Sequence, residues 1–324
     1  MIIWLLALAV GLAAAFKTEL RMPGITPPQA DLYLCHSIPV DGESSIVGFE
    51  PHGSMKTAHH ILLYGCSTPG QPDGEVWNCG EMAPGAGFDA APVCQSGSNI
   101  LYAWARDAPE LKLPKDTGFK IGGKTGIHHL VVQVHYMHKL NQPDYSGVTL
   151  NQTTEPINKR AGVLLMVTGG EMAPRSVENF ETACVVDEPL TLHPFAFRTH
   201  AHARGLVVSG WRVRRNEDGK DEWKLIGKKD PKKPQMFYKV TDPEMLVEES
   251  DILAARCHME NDGFSPITIG PTGADEMCNF YMMYSVDGDR ILSDNTCFSP
   301  GPPNYYWQRE GGLNNIPDKE ANTP

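Results

Sequence analysis

Short apolar runs recur along this chain of 324 residues, and clusters of Gly, Pro, Asn and Asp separate them. Examples are found at residues 45–50, 126–136, 161–167, 207–213 and 251–257. Runs this short, bounded by turn residues, are typical of β-strands, and few segments show the period of an amphipathic helix. The pattern therefore predicts an all-β protein, and the length is sufficient for two antiparallel β-sandwich domains.

Composition and charge narrow the class of protein. A hydrophobic content of 41% and a charged content of 21% are those of a folded globular protein. The net charge of −11 argues against nucleic acid as a partner, because phosphate binding needs a basic surface. The first 16 residues are apolar and contain Ala13-Ala14-Ala15, which predicts a cleaved signal peptide at residues 1–15. No other segment is predicted to cross a membrane.

The cysteines fall into two groups of four. They are Cys35, Cys66, Cys79 and Cys94, followed by Cys184, Cys257, Cys278 and Cys297. A secreted chain keeps its cysteines in disulfides, so an even number in each half predicts two separate disulfide sets. We place the domains at residues 16–154 and 155–300, followed by an irregular tail at 301–324. Asn151 begins an N-glycosylation sequon in the polar segment that joins the two domains, where we expect it to be exposed.

A first candidate metal site lies in the second half. If residues 198–202 form a strand, Arg198, His200 and His202 share one face. A lone His-x-His is more often a solvated strand face, but a second strand-like stretch places Met277 on a face with Asn279 and Tyr281. Two imidazoles and one thioether suit Cu(I), and the neighbouring guanidinium could hold an anionic substrate. The combination predicts a copper site with an open position.

A second candidate site lies in the first half. Its histidines are His59 and His60, His128 and His129, and His135. Gln133 shares a strand face with His135 by alternation, and either His-His pair would complete a site of three imidazoles for copper or zinc. Adjacent histidines bind one metal only at a strand end or a bulge. Spacing alone leaves the choice of pair open.

Five motifs, taken in order, resemble one known family. They are His59-His60 followed by Leu62-Leu63-Tyr64-Gly65-Cys66, Leu101-Tyr102-Ala103-Trp104-Ala105-Arg106, Gln133-Val134-His135-Tyr136, Arg198-Thr199-His200-Ala201-His202, and Asp275-Glu276-Met277-Cys278-Asn279. The family is that of the copper type II, ascorbate-dependent monooxygenases, and the resemblance is strongest to its members that hydroxylate peptidylglycine. It runs from about Arg21 to about Cys297.

The resemblance implies two jelly-roll-like domains, each holding one copper ion across a solvent-filled cleft. It assigns the electron-transfer copper to His59, His60 and His135, and the oxygen-binding copper to His200, His202 and Met277. It assigns the carboxylate of a peptide ending in glycine to Arg198, Asn279 and Tyr281, and we also expect Tyr281 and Gln133 to act in catalysis. The implied disulfides are Cys35–Cys79, Cys66–Cys94, Cys184–Cys297 and Cys257–Cys278.

The implied reaction is hydroxylation of the glycine α-carbon by O2, with ascorbate supplying two electrons. No lyase domain follows in this sequence, so we expect a separate lyase to convert the product to the peptide amide, in the secretory pathway or a secretory-granule lumen. The alternatives are an amine hydroxylase of the dopamine β-monooxygenase type, a non-catalytic secreted copper-binding module and a zinc hydrolase. The proposed carboxylate-binding residues argue against an amine hydroxylase, because a catecholamine has no carboxylate. The presence of all six candidate ligands argues against a non-catalytic module. The methionine ligand argues against a zinc hydrolase, because methionine is a poor ligand for zinc.

Overall fold

The computed structural model of the protein describes residues 14–80, 87–105, 107–270 and 275–324. Of the signal peptide expected at residues 1–15, only Ala14 and Ala15 are therefore described, and Arg106 also lies outside these ranges. Nearly all of the regular secondary structure in the described residues is β-strand, which confirms the predicted all-β class. In this part of the chain no helix is long and apolar enough to cross a bilayer.

The strands divide evenly between the two halves of the chain. The first half contains β1 (Ala15–Arg21), β2 (Leu32–Pro39), β3 (Ser44–His52), β4 (His60–Cys66), β5 (Thr68–Pro69), β6 (Val76–Asn78), β7 (Cys94–Ser96), β8 (Asn99–Ala105), β9 (Leu111–Lys112), β10 (Thr117–Ile121), β11 (His129–Tyr136) and β12 (Gly147–Thr153). The second contains β13 (Lys159–Thr168), β14 (Gly170–Met172), β15 (Ser176–Val185), β16 (His193–His200), β17 (Gly205–Arg215), β18 (Asp221–Lys229), β19 (Tyr238–Lys239), β20 (Ile252–Asn261), β21 (Ile267–Ile269), β22 (Cys278–Asp287) and β23 (Thr296–Ser299). One short helix, α1 (Asp318–Ala321), follows.

Two β-sandwiches share one long sheet. The ten-stranded sheet runs in the order β1-β12-β3-β10-β13-β22-β16-β19, with β9 beside β3 and β23 beside β13. A five-stranded sheet, β6-β2-β11-β4-β8, completes the first sandwich, and a four-stranded sheet, β15-β20-β17-β18, completes the second. Neighbouring strands are antiparallel except for β10 with β13 and β13 with β23. The sandwiches are as predicted, but the continuity of one sheet through both halves was not expected.

The two halves join along the parallel pairing of β10 with β13. Only two residue pairs form there, Thr117 with Lys159 and Gly118 with Arg160. A connection of residues 154–158 separates β12 from β13 along the chain. We therefore propose that the domain boundary lies between residues 154 and 155.

Strand β22 contributes to both hydrophobic cores. Phe280 and Met282 are fully buried in the core of the second half, whereas Tyr281 and Met283 belong to the cluster that fills the first half and the seam. This is the alternation that the sequence predicts for this strand. Because both faces of β22 are covered, its polar side chains can be exposed only at its ends or in a cavity.

Four disulfides form, two within each half of the chain. They are Cys35–Cys79, Cys66–Cys94, Cys184–Cys297 and Cys257–Cys278, the same pairs that the family resemblance implies. The last disulfide ties β20 to the first residue of β22, directly after Met277. It therefore restrains a residue that the sequence singles out as a metal ligand.

The segment around Asn151 differs from the sequence prediction. We expected a polar connecting segment, but residues 147–153 form β12, which lies between β1 and β3 in the long sheet. Val148 and Leu150 are fully buried, so their apolar side chains draw this stretch into the sheet. Asn151 is half-buried, and its Nδ2 donates a hydrogen bond to Glu50 Oε1 at 3.0 Å. Its glycosylation stays a prediction.

The tail at residues 301–324 is irregular apart from α1, yet it packs firmly on the second sandwich. Trp307 is fully buried, its backbone N–H donates to Glu181 Oε2 at 2.6 Å, and its indole N–H donates to the Thr182 carbonyl at 2.9 Å. The Arg256 guanidinium pairs with Glu181 and lies 4.5 Å from the Trp307 ring. Further tail residues cover the outer face of the four-stranded sheet, namely Leu313, Ile316 and Ala321.

We predict that Trp307→Ala lowers the free energy of unfolding by about 3–5 kcal/mol, because it removes a large buried ring and leaves a cavity. Urea unfolding followed by fluorescence and circular dichroism would measure this. Gln308→Ala is the matched control, since Gln308 is the exposed neighbour and should change stability little. Equal stability of the two variants would show that the tail does not support the sandwich.

Candidate metal and substrate site

The first histidine cluster forms where strands β4 and β11 pair. His60 begins β4 and lies directly opposite His135 of β11. His59 precedes the strand, and its backbone N–H donates to the His135 carbonyl at 2.9 Å. One nitrogen from each of the three rings lies within 4.8 Å of the others. Adjacent histidines thus meet at a strand end, the exception that the sequence analysis allowed.

The other histidine pair lies at the opposite end of β11. His129 is paired with Cys66, at the far end of β4 from His60. Its Nδ1 is 2.9 Å from a carboxylate oxygen of Asp73. The strand register therefore separates this pair from His135 and leaves His59 and His60 as the pair that lies beside it.

The environment of His135 suits a metal ligand. Its Nε2 lies 2.7 Å from Asp31 Oδ1, and its ring stacks on Tyr33 with centroids 4.0 Å apart. The carboxylate accepts a hydrogen bond, so the proton is on Nε2 and the lone pair is on Nδ1. Nδ1 is buried and has no hydrogen-bond partner among the residues described. An orphaned imidazole nitrogen beside two other histidines fits a copper ion.

The second cluster forms at the end of β16. The strand ends at His200, so the prediction of a strand through His202 is wrong in its last two residues. The reason is Glu276, whose buried carboxylate accepts the backbone N–H groups of His202 and Arg204 in place of a strand partner. The rings of His200 and His202 nevertheless lie 5.2 Å apart.

Hydrogen bonds also fix the tautomers of this second pair. His200 Nδ1 lies 2.6 Å from Gln235 Oε1, and His202 Nδ1 lies 2.9 Å from the Asp275 carbonyl oxygen. Both partners are acceptors, so each ring carries its proton on Nδ1 and leaves the Nε2 lone pair for a metal. Met277 lines the same cavity and adds a thioether. Two imidazoles and a thioether fit Cu(I).

One cavity of about 680 Å³ joins the two clusters. Its wall includes His60 of the first cluster and His200, His202 and Met277 of the second. The rings of His60 and His200 lie only 6.4 Å apart. The resemblance implied two metal sites across a cleft, whereas in this structure the two clusters face each other directly.

The predicted carboxylate-binding residues line this cavity beside the second cluster. Arg198 lies opposite Tyr281 in the strand register, and His200 lies opposite Asn279. The Arg198 guanidinium is 4.9 Å from the centre of the Tyr281 ring, and Asn279 Nδ2 is 3.4 Å from the Tyr281 hydroxyl. Cross-strand pairing therefore brings the three polar side chains together.

Arg198 is a buried cation that lacks an acidic partner. Only 2% of its surface is exposed, and no carboxylate lies within 4 Å of it among the described residues. Its Nε donates to the Gln235 carbonyl at 2.8 Å. Burial lowers its pKa, which reflects the cost of keeping this charge away from water. A buried guanidinium in a cavity without a counter-ion is suited to binding an anion.

Burial also lowers the pKa values of three histidines in these clusters. Desolvation lowers the pKa of His60 and His200 well below the usual value, with further lowering by His135 near the former and Arg198 near the latter. The pKa of His135 is also lowered by burial, although Asp31 opposes the shift. These three rings are therefore neutral near pH 7, and the neutral imidazole is the form that binds a metal.

Gln133 also lines the cavity, where only 7% of it is exposed. Its Nε2 lies 3.5 Å from Cys79 Sγ, which belongs to the Cys35–Cys79 disulfide. Sequence analysis missed Asp31, Gln235 and Glu276, which position the histidines. All three residues lie outside the strands, where side chains follow no regular period, so no pattern in the chain distinguishes them.

Comparison with known families identifies the family of this chain. The model for the N-terminal domain of the copper type II ascorbate-dependent monooxygenases matches residues 18–143, and the model for the C-terminal domain matches residues 159–310. The chain belongs to this family. Copper is therefore its metal and ascorbate its reductant, as the sequence predicts.

Relatives of this monooxygenase support the same conclusion. The chain is 40% identical over 318 residues to peptidyl-glycine alpha-amidating monooxygenase A of Xenopus laevis, covering 95% of this chain and 31% of that protein. It is 41% identical over 303 residues to the peptidylglycine alpha-amidating monooxygenase of Rattus norvegicus, covering 91% and 29%. Dopamine beta-hydroxylase of Canis lupus familiaris is 25% identical over 292 residues, covering 82% and 45%. The chain thus spans about a third of the length of the first two relatives.

We predict that Gln235→Leu weakens Cu(I) binding at one of two sites by about 10–100-fold, because it removes the hydrogen bond that orients His200. Titration against a Cu(I) chelator would measure both affinities. Gln133→Leu is the matched control, since it changes a glutamine of the same cavity that does not touch His200. Equal affinities in the two variants would contradict a positioning role for Gln235.

Proposed function

We propose that this monooxygenase hydroxylates the α-carbon of the C-terminal glycine in glycine-extended peptides, the first step of peptide amidation. The observation that carries the proposal is Arg198, a buried cation in a cavity shared by two histidine clusters, with no carboxylate of the described residues within 4 Å. A peptide carboxylate supplies the missing negative charge. Two relatives that are 40% and 41% identical are named for action on peptidylglycine.

We assign the metal ligands in two sets. His59, His60 and His135 would hold the electron-transfer copper, and His200, His202 and Met277 would hold the copper at which O2 reacts. Copper reduced by ascorbate would supply the electrons and the activated oxygen for insertion into a C–H bond. The Cys257–Cys278 disulfide and the bond from the Met277 N–H to Glu276 Oε1 at 2.9 Å would hold the thioether in position.

The polar residues of the cavity would orient the substrate. Arg198, Asn279 and Tyr281 would bind the two carboxylate oxygens, so the glycine α-carbon would lie beside the cross-strand neighbour His200. Leu62, Ile100 and Ile269 form an apolar wall that would exclude water from the reacting carbon. We propose that Tyr281 orients the carboxylate and that Gln133 is a further hydrogen-bond donor to the bound peptide.

The proposed reaction implies a partner enzyme and a cellular compartment. A peptidyl-α-hydroxyglycine becomes an amide when its C–N bond is cleaved, and we propose that a separate lyase performs that step. Four disulfides indicate that the protein matures in an oxidising compartment, as secreted proteins do. We propose the lumen of the secretory pathway, including its granules, as the place of reaction.

The proposed function is tested with purified copper-loaded protein, ascorbate, O2 and a labelled tripeptide that ends in glycine. We expect copper-dependent hydroxylation of this peptide and little turnover of the same peptide ending in glycinamide, which lacks the carboxylate. Tyramine tests the amine-hydroxylase alternative, and its oxidation in preference to the peptide would refute the proposal. Two bound coppers without turnover of any of these compounds would support a non-catalytic copper-binding module.

We predict that Arg198→Gln raises KM for the glycine-extended peptide about 10–150-fold, because a charge-assisted hydrogen bond contributes about 1.5–3 kcal/mol. Steady-state kinetics would measure the change. Arg204→Gln is the control, since Arg204 carries the same charge on a nearby, partly exposed side chain that pairs with Asp262. An unchanged KM in Arg198→Gln would place the carboxylate elsewhere.

We predict that Met277→Leu lowers Cu(I) affinity at one site and abolishes hydroxylation, because leucine keeps the volume and removes the soft ligand. X-ray absorption of the Cu(I) protein should lose its sulfur scattering. Met282→Leu is the matched control, because Met282 is buried in the core of the second half and does not line the cavity. Sulfur scattering that persists in Met277→Leu would exclude the thioether as a ligand.

A further inference from the structure

A second cavity lies at the seam between the two sandwiches. Its volume is about 170 Å³, far more than the ~10–15 Å³ that one water molecule requires. Strands β8 and β10 form one side, and β13 with residues 291–295 forms the other. The site of hydroxylation proposed above does not use it, although Ile100 lines both cavities.

Two cations line this seam cavity with one carboxylate near them. Lys120 is 19% exposed and Arg160 is half-buried, and both contribute to the wall. Asp289 pairs with Lys120, but its side chain is 80% exposed and is not part of the cavity wall. The Arg160 guanidinium donates to the Asp289 backbone carbonyl, and no described carboxylate lies within 4 Å of it. Among these three side chains the two cations outnumber the carboxylate by one, and that carboxylate is mostly exposed to solvent.

The other residues of the cavity wall are polar or apolar and uncharged. Asn99 and Thr125 are polar residues of the wall, and Phe119 and Ile100 supply apolar surface. Burial lowers the pKa of Arg160, in keeping with a cation that is partly removed from water. A ligand that matches this wall is small, carries one negative charge and has hydroxyl oxygens beside it.

We propose that the seam cavity binds a small hydroxylated organic monoanion, and we infer that this anion is ascorbate. Ascorbate is a ring-shaped enolate with one charge and several hydroxyl groups, and it is the reductant of the family. A linear sugar acid such as gluconate shares the charge and the hydroxyl groups but not the ring. The inference of ascorbate rests on the proposed function, whereas the anion site itself rests on Lys120 and Arg160.

Ligand-observed NMR titration of the anaerobic Cu(I)-loaded protein tests this site, because the reduced metal does not consume ascorbate. We expect saturable ascorbate binding that Arg160→Gln and Lys120→Gln each weaken at least tenfold. Lys159→Gln is the matched control, because Lys159 precedes Arg160 in β13 and does not line the cavity. Unchanged binding in this control would exclude a general loss of positive charge as the cause.

Kinetics provides a second measurement in the same variants. Arg160→Gln should raise KM for ascorbate. It should leave KM for the peptide unchanged, and it should leave turnover unchanged when ferrocyanide replaces ascorbate as the reductant. Unchanged turnover with ferrocyanide would also show that the variant is folded.

Ascorbate binding that persists in both cavity variants, or is absent in the parent protein, would overturn the site. Equal binding of gluconate and ascorbate would overturn the assignment to ascorbate. Failure of the proposed function would differ from these outcomes, because the parent protein would then not hydroxylate the peptide with either reductant.

Discussion

The register between strands β16 and β22 is the constraint on which the site depends. It sets Arg198 opposite Tyr281 and His200 opposite Asn279, while the alternate residues of β22 fill the core of the second half. A slip by one residue would turn the polar side chains into that core and bring Phe280 to the cavity. The burial of apolar side chains behind these residues therefore contributes much of the free energy that holds the proposed substrate residues beside the proposed metal ligands.

The two halves of the site are joined by groups that bind neither metal nor substrate. Gln235 illustrates this, since its side-chain oxygen accepts a hydrogen bond from His200 and its backbone carbonyl accepts one from Arg198. Its amide nitrogen donates to the Ala201 and Pro231 carbonyls, each at 2.8 Å. A single buried residue thus sets the positions of His200, a proposed metal ligand, and of the cation Arg198 beside it, so the two should move together when either is displaced.

The sequence predicts those parts of the structure that follow from alternation. The faces of β22, the all-β class and the grouping of His200 with Met277 follow from the two-residue period of strands, and the ligand sets and disulfide pairs follow from the family resemblance. Which histidine pair joins His135 depends on the register of β4 with β11, which no spacing encodes. The parallel pairing of β10 with β13 joins residues about forty apart, and such contacts carry no local signal. Asp31 reaches His135 from a loop position with φ of 54°, which is likewise invisible in a pattern.

The tail also has a consequence for the order in which the protein is made. Chains emerge from the ribosome with the amino-terminal end first, so the four-stranded sheet of the second half is synthesised before Trp307 is available to cover it. Until then its outer face exposes Trp211 and Val213, and Glu181 and Arg256 lack the partners that the tail supplies. The second sandwich can reach its final packing only after residue 321 has emerged. Until the tail arrives, the outer face of this sheet is an apolar surface of the nascent chain to which a chaperone could bind.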